Sequence, residues 1–154
     1  MGSTTSTRLR AAGGLLLVLT GCASAPAQRG FVPPLDRMVV SAEFGERRGL
    51  GRRAHKGTDI RAPHGAPVAA VRGGRVAFAG ERRGFGRLLI VDHGEGLKSY
   101  YAHLSGFAAR RGEAVGTGQT IGFVGRSGNA TGPHLHLEMR QDGQPRDARG
   151  WIAF

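Results

Sequence analysis

Six histidines occur in the 154 residues, at positions 55, 64, 93, 103, 134 and 136, and their neighbours separate those suited to chemistry from the rest. His134-Leu135-His136 opens an apolar run; on a strand, side chains two apart leave the same face, so both imidazoles can address one point. His55-Lys56-Gly57-Thr58-Asp59 places an imidazole and a carboxylate four residues apart, with Gly57 between them permitting a bend that aims both together. Two neutral imidazoles and one carboxylate form a set that holds zinc and leaves a coordination position open for water. Cys22 is the only cysteine and lies near the N-terminus, so the folded part can offer only nitrogen and oxygen donors. Taken alone, each pair also has an ordinary reading, HxH as the polar face of an edge strand and HxxxD as a surface ion pair. His64, between Pro63 and Pro67, reads as a loop residue, and His93 in Val91-Asp92-His93-Gly94 ends a strand at a turn in a structural role.

The elements that must position these groups are short. The chain carries 27 glycines, and no run longer than ten residues is free of both Gly and Pro, which leaves no room for long helices. From Met38 onward, apolar runs alternate with glycine punctuation: MVVSAEF, PVAAV, RVAFAG, RLLIVDH, KSYYAHL, QTIGFVG and HLHLEMR. That spacing predicts a mainly β, antiparallel sheet protein. RLLIVDH, apolar at consecutive positions, reads as a central strand covered on both faces. PVAAV and RVAFAG, split by Arg72-Gly73-Gly74, read as a tight hairpin. The Gly/Arg-rich stretch 45–54 and the stretch 126–133 read as loops, each leading into a histidine. Length and a 40% apolar content allow one modest core, hence one catalytic domain.

A formal charge of +11, almost all of it arginine, predicts attraction to polyanions without naming one. Aromatic residues make up only 6% of the chain and no nucleic-acid module is recognisable, so nucleic acid is not an expected partner. Residues 1–22 run from Arg8 and Arg10 through an apolar stretch, Ala11 to Leu19, to Thr20-Gly21-Cys22. This is the order of a secretory signal, with an apolar part too short to span a bilayer. Leu19-Thr20-Gly21-Cys22 resembles the bacterial lipobox, in which cleavage precedes the cysteine and its sulfur receives a diacylglycerol. The expected organisation is a lipoprotein signal peptide over 1–21, lipidated Cys22 and a Pro-containing tether over 22–36, and the single catalytic domain over 37–154. The membrane is then a partner through that lipid, and the location is the cell envelope, facing periplasm or cell wall. With no Asp at position 23, a Gram-negative source implies the outer membrane.

The joint order HKGTD, YYAHLS and SGNATGPHLHLE resembles the lysostaphin or LytM type of zinc peptidase, a family of peptidoglycan endopeptidases, over roughly Val39 to Trp151. The resemblance implies a LytM-like single domain, an antiparallel sheet with a groove walled by loops, binding one Zn2+ per chain. It implies His55, Asp59 and His136 as metal ligands and His103 and His134 as catalytic histidines that are not ligands. The substrate it implies is the stem peptides of peptidoglycan, cut by a metal-activated water, with the chain a monomer. Segments 45–54, 81–86 and 126–133 are expected to wall the groove, with Arg47, Arg48, Arg52 and Arg53 attracting wall-peptide carboxylates. Glu138 shares a strand face with His136 and reads either as the partner that orients it or as an ordinary strand glutamate. Two rivals remain: a non-enzymatic activator of wall amidases, whose known examples have lost ligands that are all present here, and a polyanion-binding surface lipoprotein. The type of cross-link cut stays open.

Overall fold

Glycine and proline break the chain so often that strands, which need only a few residues, are what can form between them. The structure, a computed structural model, describes Gly2, residues 30–47, Gly49, Gly51 and residues 53–154. Apart from Gly2, the expected signal peptide lies outside the described residues, as do Cys22, the first half of the tether, Arg48 and Arg52. In chain order the elements are β1 (Val39–Ala42), β2 (Thr58–Arg61), β3 (Pro67–Ala69), β4 (Gly74–Arg82), β5 (Gly86–Asp92) and β6 (Leu97–Phe107). They continue as β7 (Ala114–Val115), β8 (Thr120–Val124), β9 (His134–Gln141), β10 (Gln144–Arg146) and a 3-10 turn at Ala148–Gly150. All strand pairs are antiparallel, in the order β1-β2-β9-β6-β5-β4-β7, with β10 on β9 and β8 joining β3 to β6. No helix among the described residues is long and apolar enough to cross a membrane. The expectation of a mainly β antiparallel fold is borne out.

Strand alternation builds the core. Ile60, Leu89, Val91, Tyr101, Leu135, Leu137 and Met139 point to one face and form the main cluster with Val68, Ile121 and Val124 from β3 and β8. On the opposite face Leu88, Ile90 and Ala102 form a second cluster with Phe78, Phe85 and Tyr100 packed on it. β5 is therefore apolar at four successive positions because both its faces are covered. Residues 31–36, expected in the tether, run along the domain: Val32 N–H donates to Val71 O at 2.8 Å, and Leu35 is buried in the main cluster.

The expected hairpin between PVAAV and RVAFAG does not form. β3 pairs with β8, and β4 pairs with β5 and β7. A two-residue hairpin of the favoured kind needs positive φ at its centre, and neither Gly73 nor Gly74 has it. Gly74 is needed for contact instead: a Cβ there would run into the backbone carbonyl of Asp92 on the neighbouring strand.

His93, expected in a structural role, is tied into the interior through both ring nitrogens. Its Nδ1 lies 3.0 Å from Gly73 O and its Nε2 2.8 Å from Ser99 Oγ; Ser99 Oγ donates at 2.9 Å to the Tyr101 hydroxyl, which also accepts from Val71 N–H. Burial pushes the Tyr101 hydroxyl up to about 12, so it stays protonated. His64 is exposed in a turn.

Thr58 Oγ1 is buried with no hydrogen-bond partner among the described residues. An unsatisfied buried hydroxyl costs free energy that an isosteric methyl does not. Thr58→Val is expected to raise stability by about 1 kcal/mol, read as a higher denaturant midpoint at unchanged slope; a loss of that size would mean that the hydroxyl has a partner.

Candidate metal centre

His136 is set by the strands on either side of it. β2 pairs with β9 so that Asp59 faces His136, Ile60 faces Leu135 and Arg61 faces His134, while β6 places the small Ala102 beside His136 on the other flank. Leu135, Leu137 and Met139 turn into the core, so His134, His136 and Glu138 must emerge on the face where Asp59 emerges. Gly57 lies at the bend before β2 with ordinary backbone angles. Its lack of a side chain serves close approach: a Cβ would lie 2.5 Å from Leu137 O and 2.8 Å from His136 Cε1.

His55 sits in the loop that enters β2 and is held by the segment after β1. Its Nδ1 lies 2.9 Å from Glu43 O, its N–H donates to Glu46 O at 2.9 Å, and its carbonyl accepts from Gly45 N–H at 2.8 Å. Arg149 of the 3-10 turn clasps the Glu43 carboxylate and ties that segment to the C-terminal end of the domain.

Nδ1 of His136 is 2.7 Å from Asp59 Oδ1 and 3.1 Å from His55 Nε2, and His55 Nε2 is 3.2 Å from the same Asp59 oxygen. Tetrahedral zinc with donors at about 2.1 Å holds neighbouring donors about 3.4 Å apart, so these three atoms already make a triangle of nearly that size. The ring nitrogens turned away are engaged, His55 Nδ1 by the Glu43 carbonyl and His136 Nε2 by Glu138 Oε1 at 3.1 Å. Such partners fix ring orientation and leave a lone pair for a metal. His55, Asp59 and His136 therefore fit a zinc ion.

The electrostatics agree. Burial disfavours the His136 imidazolium, but the Asp59 and Glu138 carboxylates outweigh it and hold its pKa at about 9. Burial likewise opposes the Asp59 charge, and His136 and His55 overcome it, keeping the carboxyl far below the usual carboxylate range. Burial also opposes the Glu138 charge, but His136 and Arg140, whose Nε donates to Oε2 at 2.7 Å, hold the carboxyl low; the Arg140 guanidinium stacks 4.3 Å above the Tyr100 ring. Glu138 thus touches both the ring of His136 and an anchored cation, which favours the orienting reading over that of an ordinary strand glutamate.

His103 reaches the site through a backbone irregularity. β6 pairs with β9 as far as Ala102 and with β8 from Leu104, and against β5 its register slips between the Arg87–Leu104 and Leu89–Tyr101 pairs. Strict alternation from Tyr101 would point residue 103 into the core. The slip and a φ of 60° at His103, a region costly for a side chain, turn it outward beside Ala102. Its Nδ1 lies 2.8 Å from Ser127 O, and its ring centroid is 4.7 Å from that of His134 and 5.8 Å from that of His136. Burial lowers its pKa, and the neighbouring histidines push the same way against the Ser127 carbonyl and the Asp59 charge, which favours the neutral ring. His134 Nδ1 is engaged at 2.9 Å by Gly132 O, and its Nε2 is 3.8 Å from Asp59 Oδ1. Both rings thus commit Nδ1 to a backbone carbonyl and turn Nε2 the other way, that of His134 toward Asp59.

Ser127 was not among the residues expected at the site. Its Oγ accepts from Arg87 N–H at 2.9 Å and donates to Leu104 O at 2.8 Å, pinning the 126–133 loop to β5 and β6 while its carbonyl orients His103. Gly86 lets the loops meet: its φ is 63°, and a Cβ would strike the Ser127 backbone. Ser127 lies within the SGNATGPHLHLE stretch, whereas Glu43 acts through a carbonyl that any residue carries and leaves no sequence signal. All five histidine and aspartate residues expected at the site are brought together; Cys22 lies outside the described residues. They floor a groove of about 500 Å3 lined also by Arg53, Gly84, Phe85, Asn129 and Thr131, so each of the three expected segments contributes a wall.

Residues 53–148 match peptidase family M23. The chain is 42% identical over 117 residues to the DD-carboxypeptidase/endopeptidase Mpg of Neisseria meningitidis serogroup B, covering 74% of this chain and 27% of that protein. A zinc containing peptidase from Vibrio cholerae superimposes with a TM-score of 0.74 at 34% identity, over 78% of this chain and 39% of that one. The catalytic domain of the antimicrobial peptidase lysostaphin from Staphylococcus simulans gives a TM-score of 0.67 at 28% identity, over 73% of this chain and 90% of that domain. The chain spans about a quarter of the length of the curated relative Mpg.

With the protein stripped of metal, the raised pKa of His136 makes a stability contribution that is fully present below its unfolded value of about 6.5 and lost as pH rises through about 9. The depressed carboxyls of Asp59 and Glu138 contribute above their unfolded values and fail in acid. Unfolding of the stripped protein by denaturant from pH 5 to 10 should therefore show a decline between pH 6.5 and 9, and a rise across that window would contradict the His136 assignment.

Proposed function

The chain belongs to peptidase family M23, and from that membership we propose that it is a zinc-dependent endopeptidase hydrolysing the peptide cross-links of peptidoglycan. The observation that carries the reading is the convergence of His55 Nε2, Asp59 Oδ1 and His136 Nδ1 on one point, beside two further imidazoles at the floor of an open groove. His55, Asp59 and His136 hold the metal. Zinc bound there supplies a Lewis acid that polarises a carbonyl and makes water nucleophilic near neutral pH.

The remaining steps belong to side chains of this chain. The neutral ring of His103, its Nδ1–H given to Ser127 O, offers Nε2 as a proton acceptor. His134, oriented by Gly132 O, offers a second Nε2 next to Asp59, placed to donate to the developing oxyanion or the leaving amine. Phe85, 5.9 Å from the His136 ring, covers one side of the metal ligands with apolar surface. Glu138, backed by Arg140, keeps the His136 ring from rotating. An activator of other enzymes or a polyanion-binding lipoprotein has no use for this constellation.

The proposed setting is the cell envelope, with Cys22 carrying lipid after cleavage of the signal segment. Support comes from Arg8 and Arg10, the apolar stretch and the Leu19-Thr20-Gly21-Cys22 ending.

Digestion of purified peptidoglycan should be abolished by a chelator and restored by zinc, with mass spectrometry of the released fragments identifying the bond cut; digestion indifferent to chelation would rule out the metal mechanism. His136→Ala is expected to lose both zinc and activity. His103→Ala and His134→Ala should retain zinc while turnover falls by about 100- to 10,000-fold; loss of zinc from the His103 variant would overturn the division of roles. Glu138→Gln should weaken zinc affinity by about 10- to 100-fold, measured by competition with a metal indicator, and unchanged affinity would return Glu138 to an ordinary strand residue.

A further inference from the structure

Resting on the endopeptidase reading, we propose that Arg61 is a specificity-determining residue that binds a free carboxylate on the wall peptide, on a residue flanking the bond that is cut. Arg61 closes β2 two residues after Asp59, so alternation sends both side chains to the same face. Strand rise puts the two about 7 Å apart along β2, and the register sets Arg61 directly opposite His134. The guanidinium therefore leaves the sheet beside the reaction centre, on the flank away from β6.

A second cavity, about 790 Å3, opens on that flank and is lined by Ser41, Asp59, Arg61, Thr131 and His134. It shares Asp59, Thr131 and His134 with the groove over the metal centre. A peptide lying across the centre thus enters both, with Arg61 on the wall of the second. Of the other arginines near the centre, Arg140 is bound to Glu138 and Arg149 to Glu43, while Arg53 lines the groove over the metal centre and not this second cavity. Arg61 is exposed and has neither hydrogen-bond nor ion-pair partner among the described residues. The acid across the cavity, Glu46, turns Oε2 to the Glu43 N–H at 3.0 Å.

A lone guanidinium, bordered by the Ser41 and Thr131 hydroxyls in the same cavity, presents a planar fork of donors that matches one carboxylate in a bidentate pair. Neutralising that carboxylate as an amide removes the charge and one acceptor, and the neutral pair is weaker. Arg61 then distinguishes wall peptides by whether the group beside the cross-link is acid or amide.

The test uses zinc-loaded protein and two synthetic cross-linked peptides whose scissile amide is replaced by a non-cleavable methyleneamine. They differ only in a free or amidated carboxylate next to that position. Calorimetric titration of the wild-type protein should show the acid form binding on the order of tenfold more tightly. Arg61→Gln, with zinc content and thermal midpoint unchanged, should bind both forms alike; Arg61→Lys should keep part of the ratio; Arg111→Gln, in the loop before β7, should keep all of it. A wild-type ratio near one, or a ratio preserved in Arg61→Gln, overturns the proposal. Cleavage of the corresponding amide peptides is measured separately. A binding ratio that depends on Arg61 without any cleavage supports the subsite and sinks the endopeptidase reading, whereas cleavage without the ratio does the reverse.

Discussion

The pairing register of β2 on β9 governs the rest of the site. With Asp59 opposite His136, two of the three candidate ligands are cross-strand neighbours. Side chains along a strand alternate with a period of two, so a slip of one residue would send the ligands into the core and Ile60 and Leu135 into water. The apolar residues prevent that slip. Ile60, Leu135 and Leu137 are fully buried on the far face, and each such burial is worth roughly 1.5–3 kcal/mol. Hydrophobic energy on one face of the sheet thereby holds in place a group of polar side chains on the other that has no such driving force of its own.

Those polar side chains are held by partners on their far sides. His55, His103 and His134 each commit Nδ1 to a backbone carbonyl, from Glu43, Ser127 and Gly132 respectively. His136 commits Nε2 to Glu138. Four imidazoles are thus fixed in orientation before anything binds between them, which removes an ordering cost from the act of binding. The carboxylates that raise the pKa of His136 mark a place where positive charge is stabilised inside the protein. A proton and a divalent cation compete for the same lone pair there, so metal binding is coupled to pH.

The strain at His103 belongs to this arrangement. β6 changes partner there, from β9 to β8, and the residue at the change takes up a left-handed conformation that ordinary strand pairing would not allow. Bulges re-aim side chains where a sheet meets a site. Here the effect is to place Ala102 and His103 on one face in succession, the small residue leaving space for His136 and the large one reaching over it.

Much was legible in the sequence because it depends on local periodicity. Alternation in HLHLEMR placed both histidines and Glu138 on one face, the glycine spacing excluded long helices, and the four apolar positions of RLLIVDH announced a strand covered on both sides. The joint order of HKGTD, YYAHLS and SGNATGPHLHLE singled out the five residues that the fold brings together around one groove. Pairing choices were not legible, since they depend on which distant strand wins the contact: Arg72-Gly73-Gly74 looked like a hairpin, but Gly74 is small to fit against Asp92 and β3 joins β8. Gly57 was expected to bend the chain, and its indispensable property is the room it leaves for the His136 ring. The Glu43 and Ser127 carbonyls were invisible because every residue has one. Residue types and periods thus determined which groups could meet, whereas tertiary structure alone decided their register, their hydrogen-bond backing and the outward turn of His103, because those follow from contacts between segments far apart in the chain.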